Sequence, residues 1–283
     1  MRYLSDLIGD DIDRRRIRKG WRDLDVVGIT SDSRLVRPGF VFAAIEGAKQ
    51  DGREFIGDAV KNGARAILTQ SLPEDYDVVP VPVLYTQNVR YSLAKMAARF
   101  YEVQPRWVTA VTGTDGKTSV ANFYKQIWQL LGEASASIGT LGIHSQAELP
   151  REYPALNTTP DPVILHQALA DLARAGVHHV AMEASSIGLD QNRLDGVRVR
   201  VAGYTNFTRD HLDYHKTELA YLHAKMGLFT RVLEGGGMAV LNVDDPYFSA
   251  FRHHCKRLGH RIMGYGKDAR DLTLLSVTPH ATG

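Results

Sequence analysis

The stretch AVTGTDGKTSVANF, residues 110–123, places two glycines, a lysine and several hydroxyls in a turn between an apolar run and a helix-like pattern. Glycine reaches backbone angles that turn amides inward, and the free amides opening the next helix add positive potential. Such a loop, set between strand and helix, can cradle phosphate. Gly113, Thr114, Asp115, Gly116, Lys117, Thr118 and Ser119 are its candidate nucleotide contacts. By the usual phosphate-loop logic, Lys117 would reach the β- and γ-phosphates of a nucleotide and Thr118 would ligate magnesium. The spacing is shorter than the full Walker pattern, because Val111 stands where its first glycine would be.

Two further stretches carry groups that phosphoryl transfer needs. Glu183 follows the strand-like VAM, which puts a carboxylate at a strand's C-terminal end, the edge where open α/β sheets bind ligands. TNFTRDHLDYH sets Asp210, His211, Asp213 and His215 after another strand candidate. Taken singly, Glu183 reads as a surface charge and the His/Asp group as a solvated loop. Behind one phosphate loop they suggest two hard cations held by Thr118, Glu183 and His211. HHCKRLGH, residues 253–260, matches no closed zinc spacing and reads as a basic, exposed helix-to-loop segment.

The elements that must position these groups read as α/β alternation. VVGITSDSRLVRPGFVFAAIEG and FIGDAVKNGARAILT give strands, a helix and a turn at Gly63, and PVPVLYTQ gives another strand. A helix follows from about Val89, with Leu93, Met96, Ala97 and Phe100 on one face, and Pro105 closes it. A domain boundary is therefore expected near residue 104, with domains over 1–104 and 105–283. In the second, WVTAV, HHVAMEA, VAGYTNF and MAVLNVDD read as strands, and 119–131, 162–175 and 216–233 as helices. The fold class is α/β.

The chain's 283 residues are 44% hydrophobic and carry a formal charge of +2, which argues for two globular domains and against nucleic acid or an anionic membrane as the main partner. The lone Cys255 excludes an internal disulfide framework. Neither a signal peptide nor a run of ~18 apolar residues is legible, so the expected location is the cytoplasm.

In order and spacing, VTGTDGKTS, NTTPD, MEASS, LDQNR, TNFTRDHLDYH and YLHAKMGLF resemble the Mur ligases. The match is best to those members that add a diamino acid to UDP-MurNAc-L-Ala-D-Glu, and SDSRLVRPGFVFAAIEGAKQDGREFIGDAVKNGARAIL resembles their uridine-nucleotide domain. The resemblance implies a small N-terminal UDP-substrate domain followed by an incomplete P-loop central ATPase domain, with the carboxy-terminal domain lacking. It implies ATP and Mg2+, an acyl-phosphate intermediate, a diamino acid (diaminopimelate or lysine) as acceptor, and a monomeric, cytoplasmic enzyme of peptidoglycan precursor synthesis. Lys117, Glu183, His211 and Lys225 would be catalytic, and Asn242 would join the loop in binding ATP. Thr118, Glu183, His211 and Lys225, the last as a carbamate, would hold the metal. Thr158, Thr159, Ser185, Gln191 and Arg193 would bind the muramoyl dipeptide, while Ser33 and the 47–52 segment, GAKQDG, would contact the uridine.

The family commonly has histidine where this sequence reads Ile187, and asparagine where it reads Asp115. Alternative readings are a ligase acting on another muramoyl precursor or on folate, and a non-catalytic nucleotide-binding remnant. Without the carboxy-terminal domain, this chain alone is expected to bind the UDP-sugar but not to complete ligation.

Overall fold

The computed structural model describes residues 2–17, 20–47, 50–71, 79–153 and 157–278. It divides into two compact units, Met1–Glu102 with Pro162–Gln167, and Val103–Asp161 with Ala168–Gly283.

The first unit opens with β1 (Arg2–Tyr3) and α1 (Leu4–Leu7), and β1 pairs antiparallel with β2 (Asp25–Val26). Strands β3 (Gly28–Thr30), β4 (Phe40–Ala44), β5 (Ala66–Thr69) and β6 (Val83–Tyr85) form a parallel sheet in that order, with α2 (Ile56–Lys61) preceding β5. Along β4 the side chains alternate between two cores. Val41 and Ala43 join Leu4, Leu7 and Leu93, whereas Phe42 and Ala44 join Ile56 and Ala59. That alternation explains the nearly continuous apolar run of FVFAA, since a parallel strand is covered on both faces. Helix α3 (Val89–Tyr101) is capped by Asn88, whose Oδ1 accepts from Tyr91 N at 3.0 Å, and it buries Leu93, Met96 and Ala97.

The second unit runs β7 (Trp107–Thr112), α4 (Lys117–Leu130), β8 (Ser135–Gly139), β9 (Gly142–Ser145), the part of α5 (Pro162–Arg174) after Gln167, β10 (His179–Glu183) and α6 (Ser186–Asp190). It continues through β11 (Val199–Tyr204), α7 (Leu212–His215), α8 (Glu218–Gly227), β12 (Leu233–Asn242), α9 (Phe248–Arg257), β13 (Arg261–Gly266) and β14 (Leu272–Thr273). The strands form one sheet in the order β14-β13-β12-β11-β7-β10-β8-β9, parallel throughout except for β9 against β8. Strand order reverses at β7, which lies between β10 and β11. A reversal of this kind opens a crevice at the strands' carboxyl ends.

Three expectations need correction. The helical pattern read over 216–233 is broken: Lys216 has φ +64°, Thr217 caps α8, Leu228–Val232 is a π-helical turn, and Leu233 already begins β12. HHCKRLGH is not wholly exposed, because Cys255 and His260 are buried while His253, Lys256 and Arg257 face solvent. Strands β8, β9 and β13 were not foreseen. The first is SASIG, whose small residues give little hydrophobic signal although all five are buried.

Candidate active site

The turn after β7 lies at the reversal of strand order. Gly113 has φ +148° and Gly116 has φ +84°, so both use backbone angles that L side chains avoid. A side chain on Gly113 would also overlap the Thr205 hydroxyl. Gly116 caps α4 without any side-chain hydrogen bond, leaving the amides of the helix's first turn directed at the loop.

The far side of the turn is clamped by the segment after β11. Asn206 O accepts from Thr114 N at 2.9 Å, Asn206 Oδ1 accepts from Asp115 N at 2.9 Å, and Thr205 Oγ1 donates to Asp115 O at 2.6 Å. Asp115 is thus held through its backbone, and the residue is exposed. Asn242 supports this clamp by donating to Thr205 O at 2.7 Å, and its Oδ1 accepts from Asp244 N at 3.0 Å.

Two lysines converge on the loop. Lys117 Nζ donates to Gly113 O at 3.0 Å and to Thr114 O at 2.7 Å, and Lys225 Nζ donates to the same Gly113 O at 2.5 Å. Lys225 belongs to α8, where it is 1% exposed, and it lies 4.3 Å from the centre of the Tyr221 ring one turn earlier. Burial, then the neighbouring Lys117 charge, lower the Lys225 amine to about 7. Burial also lowers Lys117, against the pull of Glu183, Asp115 and Asp210.

Glu183 ends β10 and is buried. Its Oε2 accepts from Thr118 Oγ1 at 2.8 Å and from Thr140 Oγ1 at 3.3 Å, while Oε1 accepts from Thr140 N at 2.9 Å. Gly139 makes room for this carboxylate, which any side chain there would overlap. Thr118 spends its proton on Glu183, so its lone pairs remain to face a cation. One buried carboxylate and a hydroxyl oxygen suit a hard divalent ion, and two lysines with open helix amides suit the phosphates such an ion would bridge. Mg2+ with ATP therefore fits the residues present.

The residues expected to bind the dipeptide adjoin Glu183. Thr158 Oγ1 is 2.9 Å from Thr140 Oγ1. Thr159 Oγ1 donates to Glu183 O at 2.9 Å and accepts from Ser185 N at 2.9 Å, and Ser185 Oγ caps α6 through Gly188 N at 3.0 Å. Arg193 donates to Thr159 O at 2.7 Å and to Gln191 Oε1 at 2.7 Å, and Gln191 Nε2 donates to Tyr214 Oη at 3.2 Å. Ile187 lies within α6.

His211 stands apart from this network. It is about half exposed, has φ +51°, lies 3.4 Å from Asp210 Oδ2, and turns its ring toward Tyr221 at 6.0 Å. Among the described residues, no group of three or more His, Cys, Asp or Glu is placed to hold a metal ion. Ser33 belongs to the first unit, where it opens a short 3-10 turn and its carbonyl accepts from Val36 N at 3.3 Å. In the 47–52 segment, Gly47 N donates to Gln50 O at 3.0 Å, and residues 48–49 lie outside the described ones.

Sequence reasoning missed Gly139, Thr140, Thr205 and Asn206. The first two follow the small-residue strand β8, whose own signal was weak. Thr205 and Asn206 sit inside the motif TNFTRDHLDYH, where the charged residues drew attention instead.

Comparison with known proteins follows the same division. The Mur ligase family catalytic-domain model matches residues 25–101, and the Mur ligase middle-domain model matches residues 111–283. A UDP-N-acetylmuramoyl-L-alanyl-D-glutamate--2,6-diaminopimelate ligase of Bradyrhizobium diazoefficiens is 48% identical over 265 residues, 94% of this chain and 53% of the relative. A ligase of the same name from Brucella melitensis is 51% identical over 225 residues, 80% of this chain and 45% of that one. A solved structure of such a ligase superposes with TM-score 0.77 at 30% identity, covering 90% of this chain and 51% of that one. The chain thus spans about half the length of the curated relatives it matches. With the middle-domain model alone matching well over half of its residues, the chain belongs to the Mur ligase family.

Proposed function

We propose that this chain binds ATP with Mg2+ and a UDP-linked muramoyl dipeptide, and takes part in ATP-dependent amide ligation that adds a diamino acid in the cytoplasmic synthesis of peptidoglycan precursors. The observation that carries this reading is one hydrogen-bond network. It runs from Thr118 beside the loop, through Glu183 and Thr140, to Thr158 on the side assigned to the dipeptide. The relatives' name supports UDP-N-acetylmuramoyl-L-alanyl-D-glutamate as the acyl side and diaminopimelate as the acceptor.

The chemistry must bring a carboxylate against the γ-phosphate of ATP, and two anions in contact repel strongly at low dielectric. Bound Mg2+ would neutralise phosphate charge, and Thr118 and Glu183 are the residues that would hold it, with His211 and a carbamylated Lys225 as further ligands. Lys117 sits one helical turn from the loop carbonyls and offers a charge that strengthens as charge develops on the transferring group. Arg193 supplies a forked donor for a peptide carboxylate, and Thr159, whose proton goes to Glu183 O, holds Ser185 beside it. The N-terminal unit, with Ser33 and the 47–52 segment, would take the uridine end.

Titration calorimetry with Mg2+ and ADP, and separately with UDP-MurNAc-L-Ala-D-Glu, tests the proposal. Saturable binding of both is the expected outcome. Failure to bind either ligand would refute it.

A further inference from the structure

Thr140 lies where two functional sides of the site meet, just beyond the end of β8. Its backbone N–H donates to Glu183 Oε1 at 2.9 Å, its hydroxyl donates to Glu183 Oε2 at 3.3 Å, and the same hydroxyl oxygen lies 2.9 Å from Thr158 Oγ1. An ionised carboxylate only accepts, so the Thr140 proton goes to Glu183. The remaining bond must then run from the Thr158 hydroxyl to the Thr140 oxygen. One small side chain therefore sets the proton direction on both neighbours: Thr158 keeps only lone pairs for a ligand, and Glu183 is pinned at both oxygens.

We infer that Thr140 is a positioning residue that ties the cation-side carboxylate Glu183 to the substrate-side hydroxyl Thr158. The inference rests on the proposed function for what each neighbour binds. A threonine suits the place because its backbone and side chain grip the same carboxylate, and the preceding Gly139 leaves room for that carboxylate. Thr118 approaches Glu183 Oε2 at 2.8 Å, so the cation-side geometry depends on where Thr140 holds that oxygen. Loss of the hydroxyl frees Oε2 from one of its two donors and leaves the Thr158 proton without its acceptor.

Thr140→Val keeps the β-branched shape and removes the hydroxyl, and Thr140→Ser restores it. Calorimetry should show Mg2+-dependent ADP binding and UDP-MurNAc-L-Ala-D-Glu binding each weakened about tenfold in Thr140→Val. Thr140→Ser should recover both to within about threefold. Thr158→Val should weaken dipeptide binding in the wild type and have little further effect in Thr140→Val, because the pair acts as a unit. A ligand-free crystal structure of Thr140→Val should show the Glu183 carboxylate and the Thr158 side chain displaced. Should Thr140→Val not fold, Thr140→Ala is measured in the same way. Unchanged affinities, additive effects with Thr158→Val, no rescue by serine, or Glu183 and Thr158 left in place would each overturn the inference. Wild-type protein that binds neither ligand would instead refute the functional reading, and the ligand-free structure would still decide the role of Thr140.

Discussion

Lys225 is a cation at a core position of α8, and its environment works against its charge. Buried and sharing the Gly113 carbonyl with Lys117, its amine is brought down to about 7 from an ordinary 10.5. Between those values the unfolded state binds more protons than the folded one, so this group makes stability rise with pH across that window. Below about pH 7 both states are protonated and the full cost of burial stands. In CO2-free buffer, Lys225→Met should therefore gain ~3–5 kcal/mol over the wild type below neutrality, with the gain shrinking toward pH ~10. Urea unfolding at a series of pH values measures it, and a difference independent of pH would show that the fold does not favour the neutral amine. A neutral, buried amine is also the form that adds CO2. With 13C-bicarbonate the wild type should show a carbamate carbon by NMR that is missing from Lys225→Met. Lys225 stood out in the sequence only through the family resemblance, since a helical lysine is ordinarily exposed.

At the scale of elements, the ends of neighbouring strands decide what the site can hold. Gly139 closes β8 against the side chain that closes β10, and a methyl group there would overlap the Glu183 side chain from Cγ to Oε1. Gly139→Ala should thus lower the unfolding midpoint, because the buried carboxylate must leave its Thr118 and Thr140 donors, and weaken Mg2+-dependent ADP binding about tenfold or more. Equal affinity in the two proteins would mean that Glu183 is not needed where it lies. The clamp after β11 depends on a second buried carboxylate. Asp245 accepts from Tyr204 Oη at 2.6 Å, Phe207 N at 2.8 Å and Tyr247 N at 2.9 Å, which brackets Thr205 and Asn206 on both sides. Removing it strands two buried donors and one half-buried one, so Asp245→Ala should cost ~3 kcal/mol in urea unfolding and loosen the turn after β7. Less than ~1 kcal/mol would show that water replaces the carboxylate.

For the whole molecule, the division into two units separates the residues proposed for the two ligands. The loop and Lys117 belong to the second unit and Ser33 to the first. Lys117→Ala should accordingly weaken ADP binding by well over tenfold and leave UDP binding nearly intact. Calorimetric titration of the two nucleotides separately checks this, and equal losses would contradict a two-site arrangement. The described residues include no helix long and apolar enough to cross a membrane.

Hydrophobic periodicity, glycine placement and short motifs act within windows of a few to about twenty residues, and features of that size were legible in the sequence. They include the glycine- and lysine-bearing turn between β7 and α4, Glu183 at the end of β10, α3 with its apolar face, and α/β alternation in both units. The sheet order was not legible, because no local pattern says that β10 and β11 flank β7. That order brings Thr118 to Glu183 across 65 residues and Lys225 to Gly113 across 112. Nor could local pattern reveal β8, where small residues fill a strand covered on both faces and leave too little hydrophobic contrast to detect. Thr140 follows from that strand, and its role exists only through contacts with Glu183 and Thr158, distant in sequence and close in the folded sheet. Local chemistry named the groups; the reversal of strand order at β7 decided which of them share a site.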